Sequence, residues 1–315
     1  MTTETPPAGA PDDAAQEPAA PACVMSFNAT DATGAGGIAG DVATIAAMGA
    51  HALPVVTGIV MRDTAEVFDQ HLIDPDAIVE QARSVLEDVT IAAWKVGFLG
   101  SAEGVSAVAE ILSDYPEVPL VTYIPNLGWM DDDALQAYHD AFRELVLPQT
   151  EVLVGSHSTL TDLLLPEWDS ERPASARELA VAAGEHGARF VLVTGVMLPA
   201  KGGDQFIDNV LASPQGAITG EKFERFEAAF VGAGDTLSAA LASLLAAGSE
   251  LPLAVGEALQ FLDQSLDSGF RPGMGNVVPD RFFWALPPAD EEGQTPGEES
   301  SPDEVSPSGA PRRVH

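Results

Sequence analysis

Residues 23–60, CVMSFNATDATGAGGIAGDVATIAAMGAHALPVVTGIV, pass from an apolar run through a glycine-rich loop into a helical pattern and a second apolar run. CVMSF (23–27) and LPVVTGIV (53–60) have the length and composition of buried strands. Between them the loop Asn28–Gly37 opens a helix over about 37–49. Two strands joined through a helix form a β-α-β unit, whose strands lie parallel in one sheet.

The alternation continues along the chain. Asp74-Pro75 opens a helix to about Leu86, with proline at a favoured first-turn position. Strands are predicted at 91–99, 120–124, 151–155, 189–195 and 206–211, and helices over about 103–114, 131–146, 173–186, 235–247 and 252–267. The expected fold is a single α/β domain over 23–287: a mostly parallel central sheet with helices on both faces, and a ligand crevice beyond the strand C-termini. Residues 1–22 and 288–315, rich in Pro, Ala, Gly, Ser and acid, have almost nothing to bury and read as disordered tails.

At 315 residues and 46% hydrophobic, the chain is long enough for a large core. Its 14 basic and 48 acidic residues give a net charge of −34, and with both tails set aside 37 acids still face 12 bases. A field of that sign repels phosphate backbones and anionic membranes, which argues against nucleic acid or membrane as a partner. A lone Cys23 excludes an internal disulfide, and no Cys/His array has zinc spacing. No basic region precedes an apolar run at the N-terminus, and no apolar stretch reaches spanning length, so the chain reads as soluble and cytoplasmic.

Three loops can carry chemistry. In Asn28–Gly37 the small residues let a ligand approach the backbone closely, and the helix start supplies N–H donors. No Lys-Ser/Thr pair follows, so this is not a phosphate loop of the Walker type. Asp31 either hydrogen-bonds a substrate or caps its own turn. Val231-Gly-Ala-Gly-Asp-Thr-Leu-Ser-Ala-Ala240 runs straight into an Ala/Leu-rich helix. The N–H groups of Gly232, Ala233, Gly234 and Asp235 converge there as an anion hole suited to a phosphoryl group in flight. Asp235 is placed to take a proton from an attacking hydroxyl, or else is only the helix cap. Arg271-Pro-Gly-Met-Gly-Asn276, after the last long helix, either closes over a ligand or is an ordinary turn.

In this order, the loops resemble the ribokinase-like superfamily, and most closely the hydroxymethylpyrimidine/phosphomethylpyrimidine kinases of thiamine synthesis. The similarity covers about residues 23–286. It rests on Thr30-Asp31 with Gly34-Ala-Gly-Gly-Ile38 and Asp41, on the run from Val55 to Leu99 with Asp74-Pro75-Asp76 and Lys95-Val-Gly97, on Gly232–Ala240, and on Gly273-Met-Gly275. The resemblance implies phosphoryl transfer from ATP with Mg²⁺ to a ring hydroxymethyl group, then to that product's phosphate. It implies Asp235 as general base; Gly232, Ala233 and Gly234 as the anion hole; Asp31, Gly34, Arg62 and Phe98 at the alcohol; and Thr194, Gly195, Gly273 and Gly275 at the nucleotide. A homodimer is expected by the same analogy.

Several positions depart from the family. Asn-x-x-Glu falls on Ser156-His-Ser-Thr159, Asp-Pro-Val-Met on Thr122-Tyr-Ile-Pro-Asn126, and Lys-Gly-Gly on Thr194-Gly-Val196. The ring-contacting Gln or Glu aligns with Arg62, which cannot accept a hydrogen bond. Asp235 stands where the thiamine kinases usually carry Cys. These departures keep open a pyridoxal or related pyridine-alcohol kinase, and a kinase-fold protein that binds without turnover. Lys95 reads first as a buried stem with a solvated head, with support of the substrate pocket as the alternative; His157 as a surface helix start or a phosphate contact; Trp94 and Trp129 as packing residues or ring-stacking ones; and Asp131–Asp133 as a helix start, with a metal site as the lesser alternative.

Overall fold

A computed structural model describes residues 20–198 and 205–285; the expected tails, apart from residues 20–22, lie outside the described residues. Strand β1 (Cys23–Asp31) leads into helix α1 (Gly37–Ala47), β2 (His51–Arg62), β3 (Val67–Leu72), α2 (Pro75–Leu86), β4 (Ala93–Val96), α3 (Ala102–Ser113) and β5 (Leu120–Tyr123). Then follow α4 (Asp132–Ala141), β6 (Val152–Ser156), α5 (His157–Leu164), α6 (Ala176–Glu185), β7 (Phe190–Met197), β8 (Phe206–Ser213), β9 (Gly216–Glu224), α7 (Ala233–Ala246) and α8 (Leu251–Asp267). Residues up to Phe283 make one compact unit; those from Trp284 belong to a second, of which only Trp284 and Ala285 are described.

The nine strands form one sheet in the order β3-β2-β1-β4-β5-β6-β7-β8-β9. The pairs from β2 through β7 are parallel, and β3, β8 and β9 join antiparallel. The mostly parallel sheet expected from the alternation is present. β3 and β9 were not foreseen, and of α5 only its start at His157 was.

Strand period decides which side chains meet which helices. Met25, Phe27 and Trp94 enter a core with Ile78 of α2, Val108 of α3, Tyr138 of α4, Leu163 of α5 and Leu179 of α6. Val24, Val121, Val154 and Leu192 point the other way, onto Ile45 of α1, Leu241 of α7 and Leu259 of α8. The sheet is thus covered on both faces, and each fully buried Leu or Ile contributes about 1.5–3 kcal/mol of transfer free energy. After α8 the chain returns past β-bridges Phe230–Val277 and Phe270–Val278, which bring it back beside the α7 entry.

Candidate active site

β1 and β4 are neighbours whose outgoing helices, α1 and α3, pack on opposite faces of the sheet. A crevice therefore opens outside their C-terminal ends. Ser26 and Asn28 of β1 and Lys95 of β4 share the α1/α7 face, where a strand buried on both sides would ordinarily carry apolar residues.

The polar residues are held by one another. Lys95 Nζ stands 2.8 Å from Asp41 Oδ1 and 2.9 Å from Asp235 Oδ1. Asn28 Nδ2 donates to Asp41 Oδ2 at 2.9 Å and to Asp235 Oδ1 at 2.8 Å, and Ser26 Oγ donates to Asp41 Oδ2 at 2.7 Å. Asn28 Oδ1 accepts from the N–H groups of Ala29 and Phe98, so its amide is fully used. Asp235 Oδ2 accepts from Gly37 N at 2.9 Å, placing the carboxylate on the start of α1 as well as in the first turn of α7.

The expected solvated head of Lys95 is corrected here: the side chain is 0% exposed. β4 is an interior strand with helices over both faces, so no route to water exists and the ammonium must be paired. Burial pulls the ammonium down, but Asp235 and Asp41 outweigh that and raise it above its ordinary value. Burial pushes the Asp235 carboxyl up; the Lys95 charge, with hydrogen bonds from Lys95, Gly37 and Asn28, overcomes this and holds it below the usual carboxylate range. Asp41, deeper and facing Asp235, is raised by burial despite Lys95.

Asp235 lines a small recess of ≈ 100 Å³ together with Asp31, Arg62, Phe98, Asn126 and Trp129. Phe98 and Trp129 meet edge to face at 5.6 Å, so Trp129 packs as expected and also walls the recess. Asp31 does both things foreseen for it: its Oδ1 accepts from Thr33 N and Oγ1, its Oδ2 accepts from Gly36 N, and it lines the recess. Arg62 Nε lies 3.8 Å from Asp31 Oδ2. Gly37 reaches the recess wall, whereas Gly34 turns its carbonyl toward Arg281.

Gly232 caps α7 at φ +86°, and a Cβ there would lie 1.7 Å from the Ala35 carbonyl oxygen. Only glycine fits this approach of the two loops. Ala233, Gly234 and Asp235 follow as the first helical residues, whose N–H groups have no acceptor within the helix. The hydroxyl end of the Tyr123 ring packs against Gly234, where a Cβ would meet it at 2.2 Å.

The four residues expected at the nucleotide fall in two places. Thr194 donates to the Gly155 carbonyl, and Gly195, at φ +71°, donates to Asn209 Oδ1. Gly273 and Gly275 have Thr64, in the turn between β2 and β3, as their close neighbour, and Asn276 N donates to the Thr64 carbonyl. Ser156 caps α5, while His157 binds the Ala174 carbonyl at 2.6 Å. Trp94 packs between Phe27 and Tyr115, and Asp131 caps α4.

The sequence model of the Phosphomethylpyrimidine kinase family matches residues 31–280. The chain belongs to this family. It is 29% identical over 273 residues to the hydroxymethylpyrimidine/phosphomethylpyrimidine kinase of Streptomyces coelicolor, covering 85% of this chain and 97% of that one. Bacillus subtilis pyridoxal kinase in its ADP complex superposes with a TM-score of 0.72 at 21% identity, over 85% of this chain and all of the other. Phosphomethylpyrimidine kinase from Clostridium difficile gives 0.61 at 21% identity, over 76% and 97%. The fold is therefore ribokinase-like, and the chain is a kinase.

Three residues of this kinase site were not singled out from the sequence as members of it. Asp41, quoted only within the first loop's resemblance, is the buried counter-ion of Lys95. Tyr123 covers the start of α7, and burial pushes its phenol well above the ordinary value, keeping it a neutral donor. Arg281 lies beneath both glycine loops. For Mg²⁺, no group of three or more metal-ligating side chains occurs among the described residues. Asp41 and Asp235 share Lys95 while Asp31 holds its own turn, so these carboxylates are not gathered around one point and do not fit a protein-held metal. Mg²⁺ is commonly bound largely through substrate phosphates and water. No helix among the described residues is long and apolar enough to cross a membrane.

Proposed function

We propose that the protein transfers the γ-phosphoryl group of ATP to the hydroxymethyl group of an aminopyrimidine and then to the phosphate of that product, the two activities named by its relatives. The observation that carries this reading is that one carboxylate, Asp235, lines a recess walled in part by the aromatic rings of Phe98 and Trp129 and also belongs to the first turn of α7. With the ring seated against the Phe98–Trp129 wall, the alcohol oxygen attacks phosphorus as its proton passes to Asp235. The bond from that phosphorus to the bridging oxygen of ADP breaks. Charge developing on the transferring group is met by the N–H groups at Gly232–Asp235. In this reading Asp31 accepts from the ring amino group, which Arg62 cannot do. Thr194 and Gly195 border the nucleotide, while Gly273 and Gly275, packed on the β2–β3 turn, close the ligand crevice from the other side.

A second reading keeps the reaction and changes the alcohol to pyridoxal. Arg62 in the recess wall favours it, because a guanidinium suits a ring bearing acceptors rather than an amino group. A mass-shift assay with ATP, Mg²⁺ and a mixture of hydroxymethylpyrimidine, its monophosphate and pyridoxal separates the two. The pyrimidine and its monophosphate are expected to gain phosphate over many turnovers, and Asp235→Asn to slow this by roughly 10²–10⁴-fold, the usual range for a general base. Phosphate appearing only on pyridoxal selects the second reading; full turnover by Asp235→Asn removes Asp235 as the base. No turnover with any of the three returns the chain to a binding role.

A further inference from the structure

The geometry points to Arg281 as a positioning residue for phosphoryl transfer: a buried cation that orients the N–H cradle at the start of α7 and adds positive charge beneath it. The inference rests on the kinase reading above. Arg281 is 4% exposed. Its Nε donates to Thr236 Oγ1 at 3.0 Å, and its Nη2 donates to the Ala35 carbonyl and, at 3.5 Å, to the Gly232 carbonyl. Nη1 reaches the Gly34 carbonyl at 3.5 Å. One guanidinium therefore ties the first glycine loop to the second, using its planar fork of donors.

The consequence for the cradle follows from peptide geometry. The Gly232 carbonyl accepts from Thr236 N at 3.0 Å and Thr236 Oγ1 at 2.8 Å as well as from Arg281, all from within the protein. In a trans peptide the N–H points away from the carbonyl. With the Gly232 oxygen held inward by three donors, the Ala233 N–H is directed outward from the helix start, where a transferring phosphoryl would sit. Arg281 does not touch that group; it acts through the Gly232–Ala233 peptide and through its field.

Arg281 also supplies charge. Lys95 alone faces two carboxylates, Asp41 and Asp235, while Arg62 stands beside Asp31, so the acids of the cluster outnumber these two cations. Arg281 makes no direct ion pair among the described residues; carbonyls and one hydroxyl accept from it, and Asp235, Asp41, Asp31 and Asp280 attract it from farther off. Its charge offsets that surplus of acid where a polyphosphate must approach.

The test compares affinities, by calorimetry on the full chain, for ADP with Mg²⁺ and for ADP with Mg²⁺ and aluminium fluoride, which mimics the phosphoryl in flight. Arg281→Met is expected to weaken ADP binding modestly and the fluoride complex by about 10²-fold more, the size seen when one transition-state donor is removed. Arg281→Lys, which keeps the charge but not the fork, should recover part of the preference. Should Arg281→Met fail to fold, Arg281→Lys and Arg281→Gln are read in the same way, with the lysine variant expected to retain the greater preference. Undiminished preference in the folded variants, or equal loss for both ligands, overturns the role of Arg281 alone. A wild-type protein with no preference for the fluoride complex overturns the kinase reading, and this inference with it.

Discussion

Removing the Lys95 ammonium would leave Asp41 and Asp235 facing each other away from water, and two carboxylates so placed resist ionising together. In the wild type Asp235 sits below its ordinary value of 3.8, so its base form persists through neutral and mildly acidic pH. The stability tied to that ionisation is present above the unfolded value and is lost as pH falls through the lowered, folded one. In Lys95→Met the acid limb of kcat/KM is expected to move up by at least about one pH unit. The melting temperature should also fall, because breaking a buried pair costs about 3–5 kcal/mol. An acid limb that stays in place, measured on the folded fraction at low temperature, would show that Lys95 does not set the charge of Asp235. Asp31 and Asp235 were read from the glycine loops that carry them, whereas Arg62 and Phe98 came only from the family resemblance; the four line one recess. Lys95 was legible only as a lysine in an apolar run, and the reading went to the solvated head because strand end and strand interior look alike without the neighbouring strands. Arg281 left no signal, since its partners are backbone carbonyls, one of them 246 residues away.

At the scale of elements, the approach of α7 to β5 depends on Gly234. A methyl there would stand 2.2 Å from the Tyr123 ring, so either the helix start or the ring must move. Gly234→Ala is expected to lower stability by about 1–3 kcal/mol, as overpacking does. It should lower kcat by about 10²-fold through displacement of the cradle. Tyr123→Ala in the same chain removes the obstacle. Tyr123→Ala carries its own packing loss, so the double variant should lose clearly less stability than the two single losses added together, and additive losses in a thermal double-mutant cycle would place the constraint elsewhere. The parallel strands and their helices were legible because both faces of the sheet are buried and the apolar runs are continuous. β3 (VFDQHL) and β9 (GAITGEKFE) escaped because they are exposed edge strands that show no apolar run. Of α5 only the start was read, because the helix follows β6 with no loop, Ser156 both ending the strand and capping the helix.

Charge belongs to the whole molecule. The chain carries −34, and ATP is itself an anion, so their encounter is opposed at long range while the α7 N-terminus and Arg281 favour it at short range. Screening separates the two distances. At about 0.01 M salt the Debye length is about 30 Å and the full repulsion is felt; at about 0.15 M it is about 8 Å, and only contacts near the cradle remain unscreened. The association rate of a fluorescent ATP analogue, followed by stopped flow, is therefore expected to rise with salt across that range. The dissociation rate, governed by contacts already made, should change less. A cleft whose positive field reached into solvent would behave in the opposite way, with association slowing as salt is added. That outcome would mean the cations around the two glycine loops outweigh the acidic surface at a distance. Arg281→Met would then be expected to slow association at low salt, whereas with the acidic surface dominant its effect appears only once the phosphates are seated.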